Sequence, residues 1–301
     1  MKVGVIGLGN IAQKAYLPIV GTRENLELVF ATRTDKTRKR LAAKYNVKQT
    51  MNTVDELVTT DIEAAFVHAA TEAHVKIVRK LLENDIHVYV DKPIAYNYEE
   101  AAALGDLAAK KELNFMVGFN RRYVPMYQKL NAVEGNRILK MDKNRTYNPG
   151  QVREVIFDDF IHVVDTLRYL AGGEIEDLDI DAVMEEEILK RVMITYRGAN
   201  YTAVGIMNRD NGITEERVEV MGFKKKLVVE ELTEMSKYED GSKEVIRSEP
   251  WNQMLYNRGF VNIIDHFLEL LKTNDYNANM INDHLLTHKV CEEIVQKIKC
   301  L

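Results

Sequence analysis

Three short stretches carry side chains suited to chemistry. The first is His87-Val88-Tyr89-Val90-Asp91-Lys92-Pro93-Ile94-Ala95. Val88 and Val90 alternate with polar or aromatic neighbours, the pattern of a short strand. Pro93 lacks a backbone donor and pushes Lys92 out of helical space, so the strand stops with a lysine at its carboxyl end. In open α/β sheets that edge is where ligands bind. An ordinary solvated lysine at a strand exit is the plainer alternative. In the second stretch, Asp158, His162 and Asp165 lie four and three residues apart, on one helical face. Phe160, Val163, Val164 and Leu167 cover much of the remainder. An imidazole flanked by carboxylates can move protons. Two aspartates and a histidine are also plausible metal ligands, although no third or fourth ligand lies nearby in sequence, and no metal is expected. Asp158 or Asp159 could instead favour a helix start through the dipole.

The third stretch is Gly7-Leu8-Gly9-Asn10-Ile11-Ala12, preceded by the β-branched run Lys2–Ile6 and followed by apolar periodicity to Val20. Strand, glycine turn and helix form the context that a dinucleotide fingerprint requires. Gly7 allows the tight turn, Gly9 lets backbone approach a pyrophosphate, and Ala12 stands where helix and strand pack closely. The phosphates would meet backbone N–H groups at the helix start, which makes Asn10 and Ile11 cofactor candidates too. A glycine turn without a ligand is the alternative.

The elements that must position these groups follow in order. Leu26–Ala31 reads as a strand and Asp35–Tyr45 as a helix. Ala64–Ala69 is a strand before a helix whose apolar face is Val75, Val78, Leu81 and Leu82. After the Lys92 strand come an Ala-rich helix, Tyr98–Lys111, and a further strand, Asn114–Phe119. Alternating strands and helices predict a doubly wound parallel sheet of the Rossmann kind. Its second strand ends in Thr32 and Arg33, with Lys36 and Arg38 close behind. A ribose 2′-hydroxyl is usually met by an acid about 20 residues past the glycines, and a 2′-phosphate by arginine. Arg33, 21 residues after Ala12, favours NADP, while Asp35 keeps NAD open. A basic first turn capped by Thr34 or Asp35 is the structural alternative. Between His68 and His74 lies a turn that also faces the nucleotide edge. His68, Ala70, Thr71 and His74 are therefore candidate contacts, with His74 alternatively satisfied by backbone.

Length divided by about 150 suggests one large or two medium domains. The 301 residues divide into 1–120 and 121–301, with the closing helices free to pack back on the first part. Hydrophobic residues form 46% and charged residues 29%, an ordinary soluble composition. A net charge of −5 argues against nucleic acid as a partner. Cys291 and Cys300 are too few for a disulfide framework. No apolar run approaches the roughly 20 residues that span a bilayer, and Met1-Lys2 leads straight into a strand, so a cytoplasmic protein is expected. From Asp179 onward the runs Ile188–Tyr196, Asn200–Met207, Glu216–Met221, Lys226–Leu232 and Lys243–Arg247 read as antiparallel strands between turn signals. The second domain is thus α+β with a large, mostly antiparallel sheet. Val218 and Val220 oppose Arg217 and Glu219 across it, giving a mixed outer face. Phe260, Ile264, Phe267, Leu268 and Leu271 line one closing helix. Leu286, Cys291, Ile294, Val295 and Ile298 line the other. His284 and His288 are read as a solvated face rather than a metal pair.

With these residues in hand, the chain resembles the Gfo/Idh/MocA family of nicotinamide-dependent oxidoreductases. VGVIGLGNIA, VDKPIA, MVGFNRRYVP and DDFIHVVDTLRYLAGG match family segments in order and at family spacing. VHAATEAHV makes the match to the MviM branch fuller. The family's Glu-Lys-Pro stands here as Asp91-Lys92-Pro93, and the glycine pair usual before its Asp-x-x-x-His helix is replaced by Glu154-Val155-Ile156-Phe157. The resemblance implies hydride transfer between a nicotinamide cofactor, which Arg33 makes NADP(H), and a hydroxyl or carbonyl of a small polyol, sugar or cyclitol. It places the family's lysine and Asp/His pair on Lys92, Asp158 and His162. His162 would be the general base, Asp158 its support, and Lys92 the stabiliser of a developing alkoxide. Asp91, Asn120 and Arg121 are candidate cofactor contacts, and Tyr123 and Asp159 candidate substrate contacts. Relatives associate through the broad sheet, so a homodimer or dimer of dimers is expected. A nucleotide-binding sensor without turnover and a redox-neutral NAD-dependent glycosidase are the rival readings.

Overall fold

A computed structural model of the chain describes residues 1–273 and 276–300. It divides into two compact units, Met1–Gly118 with Ile263–His288, and Phe119–Asn262 with the chain from Lys289 on. Among the described residues, no helix is long and apolar enough to cross a membrane.

The first unit is built on six parallel strands: β1 (Lys2–Ile6), β2 (Glu27–Ala31), β3 (Gln49–Met51), β4 (Ala64–Val67), β5 (His87–Val90) and β6 (Phe115–Val117). Their order is β3-β2-β1-β4-β5-β6. The chain reverses direction across the sheet between β1 and β4, the switch point at which doubly wound folds bind dinucleotides. The crossovers are α1 (Leu17–Val20), entered through a π turn over Ala12–Tyr16, α2 (Asp35–Lys44), α3 (Val54–Leu57), α4 (Thr71–Glu83) and α5 (Tyr98–Lys110). Strands β1, β4 and β5 are almost wholly buried, so they read as continuous apolar runs rather than alternating ones. Asn97 caps α5 by accepting the Glu100 N–H at 2.8 Å. Thr34 stands at the start of α2 without a side-chain cap bond. Asp35 is not a cap either, because Arg38 and Lys39 hold it at 2.7 and 2.9 Å.

The second unit carries nine strands: β7 (Arg137–Asn144), β8 (Gly150–Gln151), β9 (Asp177–Glu185), β10 (Ile188–Gly198), β11 (Tyr201–Asn208), β12 (Glu215–Gly222), β13 (Lys225–Glu230), β14 (Glu234–Glu239) and β15 (Ser242–Arg247). The sheet order is β15-β14-β13-β12-β7-β11-β10-β8, with β9 on β10. All ladders are antiparallel except β7 with β11. The short helix α6 (Pro125–Gln128) precedes β7. Between β8 and β9 run α7 (Val152–Val155), a π turn over Ile156–Phe160, and α8 (Ile161–Ala171). α8 ends at Gly172, a left-handed position with φ of 64° that glycine adopts without steric cost. Gly205 of β11 lets α8 approach closely: a Cβ there would lie 2.7 Å from Val163 and 3.1 Å from Leu167. Leu139, Met141, Val192, Ile194, Ala203, Val218 and Val220 form the covered face. The opposite face is mixed. Glu219 is buried beneath Arg217 and Lys226, which pair with it at 2.7 and 2.5 Å. The closing elements are α9 (Met254–Asn257), α10 (Phe260–Thr273) and α11 (Ala278–Ile298). On α11, Leu286 departs from its expected apolar stripe and is 48% exposed.

Candidate functional site

In the first unit, a cleft of about 780 Å³ opens along the carboxyl ends of β1, β2 and β4. Ile6–Gly9 form its floor, Thr32 and Arg33 stand at the end of β2, and His68–Ala70 follow β4. Gly7 has a φ of +82°, and a Cβ on it would come within 2.5 Å of the Ala69 nitrogen. Only glycine fits that crossing. At Gly9 a Cβ would meet nothing within 4 Å, so the backbone there is open to a ligand. Helix follows at once, with Asn10 and Ile11 exposed in its first turn and Ala12 fully buried against the sheet. His68 is 3% exposed and stacks on Tyr16 at 3.8 Å, yet both its ring nitrogens lack a hydrogen-bond partner. Burial pushes this imidazole down to about 3. An open glycine backbone at a helix start and orphaned imidazole nitrogens beside it fit a dinucleotide with its phosphates on the turn.

Arg33 is exposed on the cleft wall, and Thr32 lies beside it. Two basic candidates fall elsewhere. Arg38 is buried, giving Nη1 to the Thr32 carbonyl at 2.7 Å and Nη2 to Asp35 at 2.7 Å, so it braces the end of β2. Lys36 is exposed and does not line the cleft. His74 has its two ring nitrogens facing the Pro93 and Ala69 carbonyls at 2.9 and 3.0 Å, the backbone alternative expected for it. Thr71 opens α4 beside the cleft residue Ala70. Lys76, Arg79 and Lys80 on α4 line the cleft as well, though sequence reasoning passed over them. Their three- and four-residue spacing on one helix face was the available signal.

Lys92 follows β5, and its peptide to Pro93 is cis. Three groups fix this turn from different elements. Asp91 Oδ1 accepts the Lys92 N–H at 2.9 Å, His74 meets the Pro93 carbonyl, and His288 Nε2 accepts the Ile94 N–H at 3.0 Å. Burial raises the Asp91 carboxyl, with Lys92 working against that rise. His284 accepts the Val117 N–H through Nδ1 at 3.4 Å. His284 and His288 are thus 3% and 0% exposed and serve the backbone, not solvent. Strand ends leave N–H groups inside the packed unit that need acceptors, a demand no local pattern on α11 reveals.

In the second unit, the Asp158–His162 helix begins six residues earlier than expected, at Val152. No glycine interrupts Glu154–Phe157, and Val155, Ile156 and Phe157 are buried, so the helix continues upstream through the π turn. Asp165 turns into the interior, where Arg122 donates Nε and Nη2 to its carboxylate at 3.0 and 2.6 Å. His162 is 8% exposed. Arg121 Nη1 lies 3.1 Å from His162 Nε2 and 3.4 Å from Nδ1. The two nitrogens flank Cε1, and an in-plane approach so close to both would collide with that carbon. The guanidinium therefore stands over the ring face, leaving its in-plane directions to other partners.

Arg121 is held by both Glu216 oxygens, at 3.2 and 2.9 Å, and Tyr127 donates to the same carboxylate at 2.9 Å. Asp159 is held by three cations. Arg145 forks onto it at 2.7 and 2.6 Å, Arg209 reaches it at 2.7 Å, and Lys143 lies 3.3 Å away. Burial opposes the charge on both carboxylates. At Asp159, Arg145, Lys143 and Arg209 outweigh it and hold the group well below the usual range. At Glu216, Arg121, Lys143 and Tyr127 do the same, holding it to about 2. Asn120 donates its amide to the Arg258 carbonyl at 2.8 Å and accepts from Arg121, so it supports the turn itself. Tyr123 accepts from Asn262 through its carbonyl, and burial raises its phenol. Among the described residues, no group of three His, Cys, Asp or Glu side chains is placed to hold a metal ion.

Comparison with known proteins agrees with this fold. Residues 1–119 match the model of an oxidoreductase family with an NAD-binding Rossmann fold, and 125–240 match a YceM-like C-terminal domain. The YceM protein of Salmonella typhimurium is 32% identical over 98% of this chain and 97% of its own length. The chain belongs to the Gfo/Idh/MocA oxidoreductase family. The structure of a Gfo/Idh/MocA family oxidoreductase from Vibrio cholerae superposes with a TM-score of 0.94 at 31% identity, over 99% of this chain and 98% of that one. The MviM dehydrogenase from Clostridium difficile gives 0.92 at 31% identity, over 99% of each chain. In this Gfo/Idh/MocA protein the parallel sheet and the large mixed sheet are therefore the family's own architecture. The Lys143, Arg145, Arg209 and Glu216 group, which sequence spacing does not reveal, is carried by the second sheet and its strand ends.

Proposed function

We propose that this oxidoreductase is a dehydrogenase or reductase that uses NADP(H) on a small polyol, sugar or cyclitol-like compound. The observation that carries the cofactor choice lies at the end of β2. Arg33 faces the cleft while Asp35, the acid that would take a free ribose hydroxyl, is engaged by Arg38 and Lys39. A guanidinium suits a 2′-phosphate through a charge-assisted fork. When bound, the nicotinamide exchanges a hydride with the substrate carbon. The chain's own part is proton and charge control. His162 takes the hydroxyl proton as general base, Asp158 supports the imidazole, and Arg121 fixes the ring from its face. The Lys92 ammonium stabilises the alkoxide as it develops, and in reverse the same groups polarise and protonate a carbonyl. Similarity to a Thermotoga maritima protein named myo-inositol 2-dehydrogenase, 27% identical over 78% of this chain and 76% of that protein, supports the polyol class.

The test is a panel of polyols with NADP and of keto-sugars with NADPH, run once thermal shift has established cofactor binding. Turnover of at least one member is expected. Tight nucleotide binding with no turnover across the panel would favour a sensor and overturn this reading. We also propose a cytoplasmic homodimer or dimer of dimers formed through the open face of the large sheet, where Ile138 and Val245 are 50% and 44% exposed. Light scattering at micromolar concentration should give a multiple of the 34.6 kDa chain mass, and a monomer would rule that assembly out.

A further inference from the structure

Beside the Lys92 turn, in the first unit, lies a buried polar group with no part in the proton and charge transfer proposed above. Tyr16 closes the π turn that follows the glycine turn, and Tyr89 stands in β5 two residues before Asp91. Both tyrosines are 0% exposed. Their hydroxyls lie 3.1 Å apart, and the Tyr16 phenol donates to Asp91 Oδ1 at 3.5 Å. That same oxygen accepts the Lys92 N–H at 2.9 Å. His68 stacks on the Tyr16 ring and Tyr89 meets it edge-on at 5.6 Å, so the ring has little freedom. Room for the three oxygens comes from Gly118. A Cβ there would stand 3.0 Å from each hydroxyl and 3.3 Å from Asp91 Oδ1. Burial and the Asp91 charge push the Tyr16 phenol well up, so it keeps the proton it donates. Phenylalanine at positions 16 and 89 would serve packing alone, without the cost of burying hydroxyls.

We infer that Tyr16 is a positioning residue for the reaction. Its phenol ties the helical turn that begins at the open glycine backbone to the carboxylate that holds the Lys92 N–H. Lys92 is thereby kept in register with the turn proposed to take the cofactor's phosphates, and not by its own strand alone. The π turn suits this task, because such turns recur at functional sites. Asp91 is the link: one of its oxygens receives both the phenol and the lysine N–H. The inference rests on the role proposed for Lys92, and its test separates the two.

The test uses the full chain with NADP and the fastest polyol of the panel, myo-inositol being tried first. Tyr16→Phe removes one oxygen and keeps the ring. It should lower kcat about tenfold, the scale of one hydrogen bond to a charged group, while the NADP dissociation constant stays within about twofold. Asp91→Asn should act alike. On a Lys92→Ala background, Tyr16→Phe should lower the residual kcat no further, because its effect passes through that lysine. In the ligand-free protein, amide exchange at Lys92 should quicken about tenfold in Tyr16→Phe while β1 and β4 keep their protection. A merely structural tyrosine would lower the melting temperature and leave kcat and the Lys92 amide unchanged. Should Tyr16→Phe fail to fold, Asp91→Asn decides through kcat and NADP affinity. Unchanged kcat in Tyr16→Phe, a further loss on the Lys92→Ala background, or an equal loss of NADP affinity would overturn the inference. If the wild type turns over nothing in the panel, the dehydrogenase reading falls and exchange at Lys92 decides alone. Unchanged exchange then overturns the inference, and faster exchange sustains the tie.

Discussion

In the first unit, the buried polar side chains around the glycine turn and Lys92 are chiefly histidines bonded to backbone. His74 lies between the Pro93 and Ala69 carbonyls, and His284 and His288 accept N–H groups at the ends of the β5 and β6 region. In the second unit the corresponding groups are ionised and bonded to one another: Arg122 with Asp165, Arg121 with Glu216, and three cations around Asp159. The contrast fits the role proposed for each. A dinucleotide is met largely by backbone N–H groups, so its unit needs a stiff backbone and little fixed charge. A proton-transfer centre needs an imidazole held in a set field, which charges supply.

The comparison breaks most visibly where a charge pair loses one partner. Arg122→Ala leaves the Asp165 carboxylate, 1% exposed, without its forked cation and should destabilise the protein by about 3–5 kcal/mol. Urea unfolding measures it. Arg197→Ala, which removes an exposed pairing with Asp177 and Asp179, should change little. Equal effects would mean that the buried pairs are not what holds the second unit.

Catalysis should divide along the same line. Lys92→Ala should lower kcat by about 3–4 kcal/mol, or two to three orders of magnitude, and His162→Ala by about 100-fold or more. The cofactor Kd should hardly move in His162→Ala, since its role is proton transfer. A large loss of cofactor affinity in that variant would contradict the assignment.

Acid should separate the two chemistries by pH. His288 is pushed by burial from 6.5 down to about 4, so the unfolded chain binds its proton first. The stability its neutral form represents is present above pH 6.5 and is lost as pH falls toward 4. Glu216 is held to about 2 against an ordinary 4.5, and its contribution is lost only as pH falls below 4.5. Each is on the order of 3 kcal/mol. Hydrogen exchange at pH 5 should therefore show protection lost around β5, β6 and α11 while β7 and β12 keep theirs. The reverse order would refute the account.

The smallest expected effect is cofactor choice. Arg33→Asp should remove a charge-assisted contact of about 1.5–3 kcal/mol, roughly 10- to 150-fold in NADP affinity, and add repulsion that turns preference toward NAD. Paired dissociation constants for NADP and NAD decide it. An unchanged ratio would return the ribose to Asp35.

The same contrast explains what could be read in advance. The glycine turn, the Lys92 strand end and the parallel sheet leave local marks, because Gly7 and Pro93 each answer a backbone demand within a few residues. Strand β3 has three residues and no periodicity to detect. Strand β7 alternates Leu139, Met141 and Lys143 inward with Lys140 and Asp142 outward, and the inward lysine hides its period. The charge cluster draws on positions 121, 143, 145, 159, 209 and 216, which only the folded sheet brings together. His288 meets Ile94 across 194 residues. No spacing rule reaches that far.

The central claim is that this chain moves a hydride between a nicotinamide and a small hydroxy or keto compound. The direct measurement supplies NADPH deuterated at its transferable position, together with the substrate found by screening, and follows the label by mass spectrometry. The account predicts one deuterium on the product carbon that had been the carbonyl, with NADP formed in equal amount. Product formed without deuterium, or label retained on the cofactor while product accumulates, would contradict it.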